Sequence, residues 1–471
     1  MNKAFSDQLS MSLSDLLSAQ TGLHFPQERW RDLERGITAA APAFGMPDAE
    51  SCAHRLLSAP LTHHQIEVLA SHLTVGETYF FREKMSFEAL EQHILPELIR
   101  ARAHAGRRLR IWSAGCCTGE EPYSVAMLLD RLIPDQKDWN ITLLATDINP
   151  AFLRKAAEGV YGEWSFRSAP DWLQARYFRR RKDKRFELLP HIRKRVTFAC
   201  LNFAEDVYPS LMTNTNAMDV ILCRNVLMYF SPAWVKKVAQ NFHRSLVDGG
   251  WLIVSPTETS NSLFPQFKAT TFPGAVLYRK TKGAESPAGT AGHPISPFDS
   301  LPDTLRMPEA VTGASVQSVA AEPAAIHPSH QEERDALCRT AHFCADQGRL
   351  AEATAWCEKA IAADKLDPTT HYLLATILQE QGENDRAVQA LLHALYLAPD
   401  FVLAHFALGN LRLSQGRHRE ARRHFSNAQA LLHTHTQDEI LPESGGLTAG
   451  RLGEIIASVQ LSLPHLTVAS G

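Results

Sequence analysis

The residues best placed to do chemistry lie in the stretch IWSAGCCTGEEPY, Ile111 to Tyr123, where glycines let backbone approach a ligand closely and two acids, Glu120 and Glu121, follow the turn. The stretch has no Gly-x-Gly-x-x-Gly fingerprint, no Walker lysine and no phosphate cradle, which disfavours a dinucleotide or ATP. Acids in place of a basic residue call for a ligand that offers positive charge or hydroxyls. Asp147 closes the next apolar run, LLATDIN, where a strand-end carboxylate can accept hydrogen bonds from ribose hydroxyls. Acids that merely cap helices give the same pattern, so the turn by itself leaves both readings open.

The elements that must position these residues alternate as strand and helix. RLRIWSAG reads as a strand entering a Gly turn, PYSVAMLLDRLI as a helix, NITLLATDIN as a strand and PAFLRKAAEGVY as a helix. VTFACLN and MDVILCRNVLMYF read as buried strands, the latter running on into a loop. SPAWVKKVAQNFHRSL opens a helix with a Ser-Pro start, DGGWLIVS is a further strand, and FKATTFPGAVLYRK gives two strands about a Pro-Gly turn. Such alternation predicts an α/β fold with a largely parallel sheet and a ligand beyond the strands' carboxyl ends. Residues 1–75 lack strand patterns and read as a small helical domain.

At 471 residues and 45% hydrophobic, the chain can fill two or three cores. A net charge of -3 excludes a globally basic nucleic-acid binder while leaving room for a local basic surface. The eight cysteines form no zinc-type spacing and are read as reduced thiols, Cys116 and Cys117 being adjacent. With no long apolar leader and no uninterrupted apolar span, a cytoplasmic protein without membrane insertion is expected.

Residues 283–331, rich in Pro, Ala, Ser and Gly without apolar period, are expected to be a flexible linker. Beyond it Ala341, Ala375 and Gly409 are separated by 34 residues each, as are Gly348, Gly382 and Gly416, then Ala353, Ala387 and Ala421, then Ala360, Ala394 and Ala428. This resembles the tetratricopeptide family, an all-α stack of helix pairs over 332–435 that presents a groove to a partner, here an unidentified protein. An ordinary helical bundle is the other reading. Residues 436–471 form a tail with room for a capping helix.

The segments TYFFRE (78–83), WSAGCCTGEEPYS (112–124), ATDIN (145–149), LNF (201–203) and CRNVLMYF (223–230) resemble, in order and spacing, the motif series of the CheR chemoreceptor methyltransferases. The resemblance covers about residues 1–280. It implies a helical N-terminal CheR domain over 1–75 and a class I S-adenosylmethionine-dependent methyltransferase domain over 76–282. A small β-subdomain is inserted at about 160–196. By the same resemblance Thr78, Arg82, Glu121, Asp147, Asn202, Phe203, Arg224 and Asn225 line the S-adenosylmethionine site. Arg82 and Tyr229 are the implied catalytic residues, one holding the acceptor carboxylate and the other giving a phenolic donor or a wall beside the methyl group. A surface ion pair and a packed core ring are the plainer readings of these two side chains. No metal is implied. Two departures stand out: Gly76 where some members carry Asn, so that a side-chain contact to the cofactor passes to backbone or water, and PTETSN after LIVS, where Glu258 alone matches.

The expected reaction is transfer of methyl to glutamate side chains on the cytoplasmic domain of a chemoreceptor. Between Arg176 and Arg195 the run RYFRRRKDKRFELLPHIRKR holds ten Lys or Arg against two acids. It is read as a solvated face or as steering toward an acidic receptor. The segment lacks the Gly-rich loop of members that tether to a receptor's terminal pentapeptide, so pentapeptide-independent engagement is expected. Arg29, Arg31 and Arg35 are a second basic feature, facing either the receptor or only solvent. The competing functions are RNA methylation, which lacks the Asn/Asp-Pro-Pro-Tyr/Phe type of loop, and a cofactor-binding scaffold acting through its repeats. The joining of such a domain to tetratricopeptide repeats points to an alternative chemosensory pathway.

Overall fold

The computed structural model describes residues 5–103, 106–205, 207–210, 213–281, 328–437, 439–444 and 448–462. Most of the expected linker, 283–327, lies outside them.

Helices α1 (Asp7–Thr21), α2 (Trp30–Ala40), α3 (Ala49–Leu57) and α4 (His63–Leu73) open the chain. Their ends follow local chemistry. The Ser6 side chain caps α1, which stops at Gly22 with φ 76°, and Thr62 with Gln65 forms a reciprocal capping box on α4. Leu13, Leu33, Ile37 and Leu69 face one another in a small core of their own.

Helices α5 (Lys84–Ala89) and α6 (Leu95–Arg102) lead into β1 (Arg108–Ala114), α7 (Glu120–Leu132), β2 (Asn140–Asp147) and α8 (Pro150–Glu158). A small excursion follows: β3 (Val160–Tyr161), α9 (Trp172–Tyr177), β4 (Phe178–Arg180), β5 (Phe186–Leu188) and α10 (Pro190–Arg193). The main sheet resumes with β6 (Thr197–Cys200), β7 (Met218–Leu222), α11 (Pro232–Ser245), β8 (Leu246–Ile253), β9 (Lys268–Phe272) and β10 (Ala275–Arg279).

The seven-stranded order is β6-β2-β1-β7-β8-β10-β9, parallel from β6 to β8 and antiparallel at β10 and β9. The central strands β1 and β7 are buried along almost their whole length because helices cover both faces, with Arg110 and Asp219 as polar exceptions near their amino-terminal ends. Chain order reverses between β1 and β7, which opens a crevice at their carboxyl ends. The excursion forms its own sheet, β3-β5-β4, packed by Phe166, Phe178 and Phe186.

After 328 come three helix pairs: α12 (Pro328–Asp346) with α13 (Leu350–Ala363), α14 (Pro368–Glu380) with α15 (Asn384–Leu397), and α16 (Val402–Ser414) with α17 (His418–Leu432). A last helix, α18 (Ala449–Ser462), packs on α17. The 34-residue series has a direct physical basis. Its alanines are buried where helices touch, a Cβ at Gly409 would meet the Phe425 ring at 2.6 Å, and Gly348, Gly382 and Gly416 take left-handed turns. The eight cysteines are free. Among the described residues no helix is long and apolar enough to cross a membrane, and no cluster is arranged to hold a metal ion.

Candidate functional site

A cavity opens at the carboxyl ends of β1, β2 and β7, roofed by the loop after α1 and by the segment joining α4 to α5. The first wall is built by the turn after β1. The backbone N–H groups of Gly115 and Cys116 both donate to the Thr146 carbonyl at 2.8 Å, which draws the turn back over β2. Gly115 has φ 86°, and a Cβ there would meet Val226 at 2.4 Å. This is a close approach that only glycine permits.

Asp147 sits at the end of β2, 8% exposed, with Oδ2 accepting from the Cys117 N–H at 2.8 Å and Oδ1 from the Asn149 N–H at 2.9 Å. Burial pushes its carboxyl up to about 6, against the pull of those backbone donors. Glu121, in the first turn of α7, accepts from Ser113 Oγ at 2.7 Å and from Arg224 Nη1 at 3.0 Å. Burial also raises its carboxyl, and Arg224 opposes the rise. Its neighbour Glu120 points elsewhere, accepting from Thr118 at 2.6 Å and from Ser165 at 2.9 Å. Of the paired acids in the turn, Glu121 alone lines the cavity. Successive residues in a helical turn point about 100° apart, so Glu120 instead ties the turn to the small sheet's segment.

Arg224, 2% exposed at the end of β7, also pairs with Glu83 at 2.9 Å and donates to the Arg82 carbonyl. Arg82 thus has its backbone anchored while its guanidinium reaches the cavity. The side chain donates to the Glu77 carbonyl at 2.6 Å and lies 5.8 Å over the Tyr79 ring, and no carboxylate pairs with it among the described residues. Thr78, Phe203, Asn225 and Tyr229 line the same cavity.

Asn202 does not. It is buried, and its amide donates to the Gln20 carbonyl at 2.7 Å while its oxygen accepts from Ala204 N–H at 3.0 Å. It ties the N-terminal helices to the loop after β6, leaving Leu201 and Phe203 to form that wall. The N-terminal region contributes Leu23, His24, Phe25 and Arg29, which sequence reading did not place in the cofactor site. Leu23 bridges Phe230, His24 N–H donates to the Tyr229 carbonyl at 2.8 Å, and the Arg29 guanidinium lies 5.3 Å over the Tyr229 ring.

Two further residues complete the site. Glu258 Oε2 accepts from Asn225 N–H at 2.8 Å, and Oε1 accepts from Met228 N–H at 3.1 Å. Ser255 holds the same carboxylate at 2.7 Å. The acid that matches within PTETSN therefore fixes the loop carrying Asn225 and Tyr229, with Asn225 at φ 58°. At Gly76, a Cβ would meet the Phe152 ring at 2.8 Å. The space where a side chain would begin is filled by an aromatic wall.

A largely parallel α/β sheet with Asp147 at the end of β2, Glu121 in the first turn of α7, apolar walls at Ile148, Phe152 and Phe203 and a guanidinium at the rim defines a nucleoside-binding methyltransferase site. Residues 76–273 match the family described as CheR methyltransferase, SAM binding domain, and residues 368–401 match a tetratricopeptide repeat. The chain is 36% identical over 218 residues to chemotaxis protein methyltransferase 1 of Pseudomonas aeruginosa, covering 45% of this chain and 77% of that protein. It is 32% identical to chemotaxis protein methyltransferase 2 of Vibrio cholerae, covering 47% of this chain and 75% of that one. Similarity to the probable biofilm formation methyltransferase WspC of Pseudomonas aeruginosa extends over 87% of this chain and 95% of that protein, at 28% identity. The chain belongs to the CheR family of chemotaxis methyltransferases and is an S-adenosylmethionine-dependent methyltransferase carrying C-terminal tetratricopeptide repeats. The residues present fit the cofactor's chemistry: buried acids for hydroxyls and positive charge, and aromatic walls for a base.

Proposed function

We propose that the enzyme esterifies glutamate side chains on the cytoplasmic domain of a chemoreceptor, in the cytoplasm, without a pentapeptide tether. The observation that carries this reading is the meeting of Arg82, Arg29 and Tyr229 at one cavity whose floor is held by acids. When bound, S-adenosylmethionine supplies a methyl group on a positively charged sulfur. Asp147 would accept from ribose hydroxyls, and Glu121, with Arg224 behind it, would face the cationic part of the ligand. Thr78, Phe203 and Asn225 would complete its enclosure.

A glutamate acceptor is already ionised at neutral pH, so these residues have no proton to remove. Their task is alignment and exclusion of water. Arg82 is the group with donors to spare for a carboxylate. Tyr229, held through its backbone by His24 and through its ring by Arg29, would form the wall beside the transferring methyl. Asn202 would act one step back, as a brace between α1 and the Phe203 loop.

Pentapeptide independence is supported by the β4–β5 hairpin, where Asp183 pairs with Arg181 at 3.6 Å and with Arg185 at 2.8 Å in a turn without glycine. In the basic run, Arg179 also pairs with Glu187 and Arg195 with Asp130. Internal pairing of this kind weakens the case for RNA as acceptor. The repeats would select the partner.

The test is transfer of radiolabelled methyl to a candidate receptor's cytoplasmic fragment, followed by mild alkali. Alkali-labile label, released as methanol and lost in Arg82→Ala or Asp147→Ala, is the expected result. Label on RNA instead, or none on any receptor tested from an enzyme that binds cofactor, would overturn it. Partner selection is tested by removing residues 333–471, and unchanged binding and activity in cells would refute that role.

A further inference from the structure

We infer that the repeat unit is docked in cis on the amino-terminal edge of the catalytic sheet, with Glu380 as the counter-charge that this edge lacks. The partner held by the repeats is therefore carried at the opposite end of the sheet from the methyl-transfer cavity.

The edge is rich in cations. Arg102, Arg108 and Arg110 converge on the start of β1, and from within the catalytic region Asp219 answers them, accepting from Arg102 Nη2 at 2.6 Å and from the Arg110 N–H at 2.9 Å. The Arg110 side chain turns to the Asn216 carbonyl at 3.2 Å and the Asn214 carbonyl at 2.9 Å. Arg108 receives its acid from α14, 272 residues along the chain: Nη2 to Glu380 Oε2 is 3.0 Å, with both side chains largely buried. Asn216 donates to the same oxygen at 3.3 Å and Asn140 donates to the Glu380 carbonyl at 3.0 Å.

The fit is steric as well as electrostatic. Gly348 and Gly382, the turn glycines of two successive helix pairs, face this edge. A Cβ at Gly348 would lie 3.3 Å from Ala217 Cβ, and one at Gly382 would lie 3.4 Å from the Asn140 amide. Two positions of the 34-residue period thus serve the contact as well as the turns.

Burial and neighbouring Arg110 pull the Arg108 guanidinium down to about 10, with Glu380 and Asp219 opposing. Without Glu380 the Arg108 charge would be buried beside like charge. The geometry has a second consequence, which rests on the proposed function. β1 runs from Arg108 at the dock to Ala114 at the cavity, roughly 20 Å at the rise of a strand. The repeats are thus anchored at the end of the sheet remote from the cavity, and a component they hold would be a second one, or a distant segment of the receptor, while the acceptor glutamate enters at Arg82 and Tyr229.

The test uses the full chain with Glu380→Arg, Arg108→Glu and the two combined, read by small-angle X-ray scattering and thermal unfolding. Each single reversal should enlarge the radius of gyration and lower the first melting transition by roughly 5 °C, and the exchanged pair should restore both. A second arm pairs Ala217→Cys with Gly348→Cys, whose predicted disulfide under mild oxidation should hold the two parts together after proteolysis between them. Reversals that leave the scattering curve and melting unchanged, with no disulfide formed, would overturn the dock. These readouts do not depend on methyl transfer, so failure of the dock and failure of the acceptor assignment are distinguishable.

Discussion

Glu121 and Arg224 meet at 3.0 Å across the cavity floor, joining the first turn of α7 to the end of β7. The same guanidinium holds Glu83 and the Arg82 carbonyl, so one buried cation sets the position of the rim residue that the acceptor would meet. Replacing Arg224 by Met leaves two acids facing each other without a cation. Breaking a buried pair in this way should cost about 3–5 kcal/mol in urea unfolding and abolish cofactor binding. Arg224→Lys should fall between, because one ammonium cannot match a planar fork with several acceptors.

Glu258→Gln tests the support of the Asn225 loop. The amide offers one acceptor where the carboxylate offers two, and its NH2 group would face backbone donors. A loss of about 1–3 kcal/mol is expected, seen as a rise of about five- to 150-fold in the dissociation constant for S-adenosylhomocysteine by calorimetry. An unchanged constant would show that the loop holds itself.

With Asp147 accepting from the ribose as proposed, cofactor binding should depend on pH. Its folded carboxyl titrates at about 6, raised by burial above the ordinary 3.8. Between those values the unfolded chain has lost the proton and the folded chain has kept it, so this group's contribution to stability falls as pH rises through the window and stays low above it. Ribose hydroxyls donate to the ionised form, so affinity should move the other way, strengthening from pH 5 to pH 7.5. Asp147→Asn should bind weakly with a flat profile; a profile that kept the wild-type slope would assign the titration to another group.

Gly76→Asn should harm rather than help. The added side chain must displace the Phe152 ring, at a cost typical of overpacking, about 1–3 kcal/mol. Weaker cofactor binding is expected, and Phe152→Ala in the same chain should recover part of it. Tighter binding by Gly76→Asn alone would refute the exchange of wall for side chain.

Tyr229→Phe separates the hydroxyl from the ring. Cofactor affinity should hold, because the ring still packs under Arg29, while kcat falls if the phenol donates to the acceptor. An unchanged kcat would leave Tyr229 as a wall.

The alternation of apolar runs and turns was enough to place the strands of the main sheet, the crevice at their carboxyl ends and Asp147 at the tip of β2, and the 34-residue period the paired helices, although α12 starts at Pro328, inside the stretch read as linker. These features depend on a local period, 2 or 3.6 residues within elements and 34 between repeats, and local periods are written along the chain. What the periods could not show is which side chains meet. Glu120 and Glu121 are adjacent and alike, and the packing of α7 against β1 and the small sheet decides that one faces the ligand and the other braces Ser165. Asn202 sits between two cavity residues, yet its amide is taken by Gln20, 182 positions earlier. Gly76 reads as a missing contact until Phe152 is seen filling its place. Arg108 and Glu380 carry no motif at all. Their pairing exists because the fold buries one charge beside others of its own sign and brings up, from a distant repeat, the acid that stabilises it. Such pairings depend on distance in space and on exclusion of water, which a chain acquires only when it is packed.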